Sequence, residues 1–281
     1  MKKALLILRE MDSKFSDTER NIARYIKENP NETTKLSARE LAERTFSSPS
    51  SVVRLCRRSG FEGYKEFKQS LILELATLGQ DTFHSEEDIN SNDSIETIIQ
   101  KVTKKNIQSL MDTRHLLDPK VISQSVAAIS QAETILLFGI GASLCVAKDA
   151  YLKFLRLNKP CIYNEDWHSQ LLQAKNASKK DVALIFSFSG QTKEVIECMK
   201  ELKNNGTPCI TITRYLPSPV AKMSDYPLYI ASNESTFRSG AMSSRLSQLN
   251  VVDILYSAFC STQYEYCINT LTKTHIHKEN I

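Results

Sequence analysis

The residues best suited to chemistry in this 281-residue chain are Ser187-Phe-Ser-Gly-Gln-Thr192, which follow directly on the apolar run Val182 to Phe186. Ser187, Ser189 and Thr192 supply hydroxyls. Gly190 lets the backbone turn tightly and approach a ligand, and Gln191 completes the loop. A stretch that reads as helix begins just beyond, and the first turn of a helix carries unpaired N–H groups at the positive end of its dipole. These features describe an anion site able to hold phosphate oxygens, although an ordinary N-cap followed by a tight turn would use the same residues. A second loop of this kind favours the anion reading. The run Thr134 to Phe138 ends in Gly139-Ile-Gly-Ala-Ser143 and continues as the helical pattern Leu144 to Leu157. A dinucleotide loop fits poorly, because Gly-x-Gly-x-x-Gly meets Leu144 and no acidic residue follows at the expected place.

A different chemistry is written near the N-terminus, where Ser50, Ser51, Arg54, Arg57 and Arg58 share one short helical segment. Ser48 is a good N-cap, Pro49 suits the first helical position, and Gly60 is a stop. Small Ser50 and Ser51 permit close approach to base edges, with Arg54 one turn later on the same face. Val52, Val53 and Cys56 then face the core. Lys65 and Lys68, past the Gly60 to Tyr64 turn, are placed to meet phosphates, and Ser37 and Ser48 join the candidate DNA contacts. A plain helical hairpin with a solvated basic face would show the same pattern.

Both groups need elements to hold them. Ser16-Asp-Thr-Glu19 and Ser37-Ala-Arg-Glu40 are capping-box patterns. The first opens a helix through Ile22, Ala23, Tyr25 and Ile26 that stops before Pro30; the second turns Leu41 and Ala42 inward and ends near Thr45. Helix, short turn and basic helix is a helix-turn-helix layout. Residues 78–94 are polar and acidic and read as a linker. An amphipathic helix from Ile95 to Leu110 and a helix from Pro119 to Ser130 follow. Strands are then expected at Thr134 to Phe138, Pro160 to Tyr163, Asp181 to Phe186, Pro208 to Thr213 and Tyr226 to Ile230, alternating with helices. Alternation of this sort argues for a parallel sheet with ligands at the C-terminal strand ends, where both serine loops fall.

The two loops, Gly-x-Gly-x-Ser and Ser-x-Ser-Gly-x-Thr with one α/β unit between them, resemble the sugar isomerase (SIS) domain. That family has a flavodoxin-like sheet and binds phosphosugars. The resemblance implies that Ser187, Ser189 and Thr192 hold the phosphate and that Ser143 reaches it or the sugar. Leu41-Ala-Glu-Arg-Thr45 with Ser48-Pro-Ser-Ser-Val-Val-Arg-Leu-Cys-Arg-Arg-Ser-Gly-Phe-Glu-Gly-Tyr-Lys-Glu-Phe-Lys68 resembles the N-terminal domain of RpiR-type bacterial transcription regulators. That family joins such a domain to a SIS domain in the order seen here. It often has Thr where Ser51 stands and Phe where Leu55 stands, so base preference stays open. The expected architecture is an N-terminal all-α helix-turn-helix domain (1–77) and a C-terminal α/β flavodoxin-like SIS domain (95–281, sheet core about 120–262) with a five-stranded parallel sheet. Similar proteins have a segment like Asn233 to Arg245, which implies that Glu234 or Arg238 borders the sugar; capping and surface pairing is the other reading. His168, after the Asn164 to Trp167 turn, either contacts sugar hydroxyls or faces solvent.

Composition narrows the function class. Hydrophobic residues at 41% and charged residues at 24% are those of an ordinary soluble protein. No apolar run nears the roughly 20 residues of a membrane span, and no signal-peptide layout opens the chain, so a cytoplasmic protein without a membrane partner is expected. Seven cysteines without Cys-x-x-Cys spacing read as reduced, mostly buried thiols. The His275-Ile-His277 pair lies in a polar tail and reads as a solvated end, so neither metal nor cofactor is implied. Residues up to Thr77 carry 15 Lys+Arg against 11 Asp+Glu, which accounts for the whole net charge of +4. That local excess agrees with a nucleic-acid partner.

The leading reading is therefore a non-enzymatic regulator, a homodimer or homotetramer that binds operator DNA and responds to a phosphosugar effector. A phosphosugar isomerase or lyase with a helical appendage is the rival, with Glu234 or His168 as the base that such chemistry needs. A phosphosugar-binding adaptor would have no DNA affinity at all.

Overall fold

The computed structural model describes residues 3–78, 89–232 and 241–275. The chain forms two compact units, Met1–Lys105 and Asn106–Ile281.

The first unit is helical. It comprises α1 (Ala4–Glu10), α2 (Asp17–Glu28), α3 (Pro30–Thr33), α4 (Ala38–Arg44), α5 (Pro49–Arg58), α6 (Tyr64–Leu78) and the start of α7 (Ile95–Leu116). Both capping boxes form. Ser16 and Glu19 open α2, and Ser37 and Glu40 open α4, each serine accepting the N–H three residues on while the glutamate reaches back to the serine N–H. Helix α2 ends at Glu28, before Pro30 as expected, and Pro30 opens a further short helix rather than a loop. It sits at the first position of α3, where a missing N–H costs nothing. Leu8, Ile22, Ile26, Leu41, Leu55 and Phe67 are fully buried and supply the core. Glu74 of α6 is buried too, and accepts from the otherwise orphaned N–H of Leu5 at 2.8 Å and of Leu6 at 3.4 Å. Burial raises the Glu74 carboxyl above its usual range, against the pull of those two N–H donors.

The second unit holds α8 (Pro119–Gln131), then β1 (Thr134–Gly139), α9 (Ala142–Arg156), β2 (Cys161–Tyr163), α10 (Trp167–Asn176), β3 (Asp181–Phe186) and α11 (Lys193–Asn204). It continues with β4 (Cys209–Arg214), α12 (Pro219–Met223), β5 (Tyr226–Ile230), α13 (Met242–Thr262) and α14 (Tyr264–Lys273). Helix α14 has no counterpart in the expectations from sequence. The sheet runs β2-β1-β3-β4-β5 and every pairing is parallel. Alternate strand residues point to opposite faces. Ile135, Leu137 and Leu184 join one core layer with α9 and α13, while Leu136, Phe138 and Ile185 join the other with α10 and α11. Phe154 anchors the first layer, its ring edge-on to Phe259 at 5.7 Å.

Strand order reverses at β1, which has β2 on one side and β3 on the other. Gly139 pairs with Phe186 in that register, so both serine-bearing loops leave the sheet side by side. Parallel α/β sheets bind ligands at such a reversal. Among the described residues no helix is long and apolar enough to cross a membrane.

Candidate functional site

In the second unit the β1 and β3 loops enclose a cavity of about 240 Å³. Gly139 ends β1 with Ser143 packed so closely that a Cβ would lie 2.9 Å from the Ser143 carbonyl oxygen. Its backbone is held by Gln170, which accepts from the Gly139 N–H at 3.2 Å and donates to the Gly139 carbonyl at 3.0 Å. From β3, Ser187 donates its N–H to Ile212, while its hydroxyl, on a residue only 3% exposed, lines the cavity without a hydrogen-bond partner. Buried hydroxyls are normally paired, and an unpaired one on a cavity-lining residue calls for an explanation, of which a bound ligand is one. Gly190 turns the loop with φ +63°, a conformation that side chains disfavour, and a Cβ there would collide with the Ser218 side chain. Ser189 accepts from the Gln191 N–H at 3.2 Å, and Thr192 is the N-cap of α11 with no side-chain cap bond.

Three helix starts meet this cavity: Ala142 and Ser143 of α9, Thr192 before α11, and Ala241 with Ser244 at α13. Each contributes the positive end of a helix dipole. Among the described residues that line the cavity none carries a charge, so hydroxyls and helix ends supply its polarity. Gln248, nearly fully buried, spans Ser143: the Ser143 hydroxyl donates to Gln248 Oε1 and accepts from Nε2, both at 3.2 Å.

Of the sugar-site expectations, Ser143, Ser187, Ser189 and Thr192 line the cavity, and Gly190 shapes its loop. Gln191 is exposed and takes part through its backbone N–H, and exposed His168 in the first turn of α10 is not among the lining residues. Glu234 and Arg238 lie outside the described residues. Gln248, Ser244 and Gln170 were missed. A signal existed for two of them: Ser244, Gln248, Val252 and Leu255 recur at helical spacing, so polar residues continue the buried stripe of α13 into the cavity.

In the first unit α4, a three-residue turn and the cap residue Ser48 lead into α5. Ser48 accepts the Ser51 N–H at 3.1 Å. Ser51, expected beside Ser50 at the base edges, is turned inward instead, 6% exposed and bonded through its hydroxyl to Ser48 Oγ at 2.9 Å. Val53, expected in the core, is half-buried and borders an open groove of about 760 Å³ with Glu19, Pro49, Ser50, Arg54, Arg57 and Arg58. The helix is thus rotated by about one position from the face assigned to it. Arg54 donates to Ser51 Oγ at 3.2 Å, and Arg57 to the Glu62 carbonyl at 3.2 Å. Arg58 donates to Glu19 Oε2 at 2.9 Å. Glu19 is almost wholly buried; burial alone would raise its carboxyl, but the Ser16 N–H and hydroxyl and Arg58 together hold it below the usual range. Ser37 and Lys65 are exposed outside the groove lining, and Lys68 is engaged with the Leu36 carbonyl at 2.8 Å. This groove offers basic, hydrogen-bonding side chains on one helix face, the equipment for a nucleic-acid duplex.

Known proteins share both halves. The helix-turn-helix domain of the rpiR family matches residues 2–78, and the SIS domain matches residues 128–258. An uncharacterized HTH-type transcriptional regulator of Caldanaerobacter subterraneus subsp. tengcongensis is 39% identical, the match covering 98% of this chain and 96% of that one. The HTH-type transcriptional regulator YbbH of Bacillus subtilis is 34% identical, with 96% and 95% covered. Among solved structures, the Vibrio vulnificus NanR protein complexed with ManNAc-6P is similar at 30% identity and a TM-score of 0.60, covering 97% of this chain and 96% of NanR.

Proposed function

The chain belongs to the rpiR family and is a helix-turn-helix transcription regulator with a SIS domain, and on that premise we propose that its second unit senses a phosphosugar and thereby controls operator binding. The observation that carries the sensor reading is the Ser187 hydroxyl, buried and unpartnered on a residue that lines a cavity ringed by helix N-termini. A phosphate there accepts from Ser187, Ser189 and Thr192 and from free backbone N–H groups, with its charge balanced by the helix ends. Ser143 and Gln248 stand where the sugar ring would extend. The ManNAc-6P bound in the NanR structure supports this ligand class. Differential affinity of the effector for two arrangements of a dimer or tetramer then couples the sites.

We propose a sensor rather than an isomerase. The relatives are named as regulators, and among the described cavity-lining residues no carboxylate or imidazole stands ready as a base. Thermal-shift screening against sugar phosphates, with the dephosphorylated sugars as controls and NMR for turnover, tests both parts. A phosphate-dependent shift without conversion supports the sensor; conversion of the sugar establishes an enzyme.

A further inference from the structure

The turn before α5 contains an unusual residue for its backbone. Helix α4 ends in a Schellman motif: the Phe46 N–H donates to the Glu43 carbonyl and the Ser47 N–H to the Ala42 carbonyl, which sets Phe46 in the left-handed region at φ +50°. The same pair of hydrogen bonds closes α5, α9 and α11, and there the left-handed position is filled by Gly60, Asn158 and Gly206. Those are the residue types that tolerate it, whereas an aromatic side chain is strained there. Packing does not repay the strain, because Phe46 is 97% exposed. Strain of this kind, kept without a packing return, marks a functional residue.

We propose that Phe46 is a specificity-determining residue whose ring makes apolar contact with a thymine C5-methyl group in the major groove of the operator. The proposal rests on the DNA-reading function of the first unit. In helix-turn-helix docking the N-terminal end of the second helix meets the base edges, and Phe46 lies two residues before Ser48, the N-cap of that helix. The exposed Phe46 therefore lies at the end of α5 that enters the groove, before Ser50 and Arg54 in the chain. Phenylalanine offers no hydrogen bond, and the apolar feature of the major groove is the thymine methyl. The arginines of α5 hold the backbone and polar edges while Phe46 reads a position they cannot.

The experiment uses the full chain and an operator selected by the wild type from a randomised duplex library. Thymines are replaced one at a time by uracil, which removes the methyl and keeps the hydrogen-bonding edge. At one thymine the replacement should weaken wild-type binding by about three- to tenfold. Phe46→Asn, and Phe46→Gly as a second variant, should lose a similar factor against the thymine operator and be indifferent to uracil at that position. Both should melt no lower than the wild type, since each relieves the left-handed strain. Retention of wild-type affinity by the variants, or of full uracil sensitivity at every position, overturns the proposal. If the wild type selects no sequence, the DNA-reading function fails, and this inference with it.

Discussion

Arg58 Nη1 donates to Glu19 Oε2 at 2.9 Å, and that same oxygen receives the Ser16 N–H at 2.9 Å. One carboxylate thus closes the N-terminus of α2 and fixes an arginine of the groove helix α5 against it. The opposite oxygen lies 3.8 Å from Arg54 Nε. The local capping signal and the orientation of the DNA-reading face are therefore one interaction.

Among the described residues of the first unit, two buried carboxylates are shifted in opposite directions. Glu19 is held below its ordinary value of 4.5 and Glu74 is raised above it. Stability from Glu19 is present above pH 4.5 and lost as pH falls through its depressed value. Glu74 contributes most when protonated, and that share is lost as pH rises from 4.5 through its raised value. Carbon-13 NMR of the side-chain carboxyls should give midpoints on either side of 4.5; a Glu19 midpoint at or above 4.5, or a Glu74 midpoint at or below it, would contradict that group's assignment. Glu19→Ala removes the capping box and should cost about 1–2 kcal/mol in chemical denaturation.

Arg54→Ala should weaken operator binding by about 1–3 kcal/mol and reduce discrimination from random DNA. Lys65→Ala should weaken both about equally and lower the slope of log affinity against log salt by about one. Fluorescence anisotropy across a salt series measures both, and undiminished discrimination in Arg54→Ala rules out base reading by that side chain.

Ser187→Ala should separate stability from function. The hydroxyl it removes is buried and unpartnered, so the free protein should be unchanged or up to about 1 kcal/mol more stable. Calorimetric binding of the sugar phosphate should fall at least tenfold; a normal titration would show that the phosphate lies elsewhere.

Gly190→Ala meets both a left-handed backbone and the Ser218 side chain. A loss of about 2–4 kcal/mol is expected. Adding Ser218→Gly should recover only part of it, because the φ of +63° remains. Full recovery in thermal melts would mean that backbone strain is negligible.

What was legible in the sequence was local. A capping box spans three residues, so Ser16 with Glu19 and Ser37 with Glu40 could be read directly, as could Ser48, Pro49 and Gly60 around α5. The five strands announced themselves as apolar runs, and the serine loops by their position after two of them. Less legible were features set by distant partners. The inward turn of Ser51 and the outward turn of Val53 depend on how α5 packs against α2, α4 and α6. Gln170 acts on Gly139 across 31 residues, and Gln248 on Ser143 across 105, so no local pattern pairs them. Phe46 carries no local signal, because its meaning lies in a backbone angle that a phenylalanine does not advertise.

The most direct test of the account is operator affinity of the full chain measured with each member of a sugar-phosphate panel and with the matching dephosphorylated sugars. The account predicts that at least one phosphosugar shifts the affinity several-fold, that its dephosphorylated form does not, and that the phosphosugar is recovered unchanged. Operator binding indifferent to every phosphosugar, or altered equally by the free sugars, would contradict it.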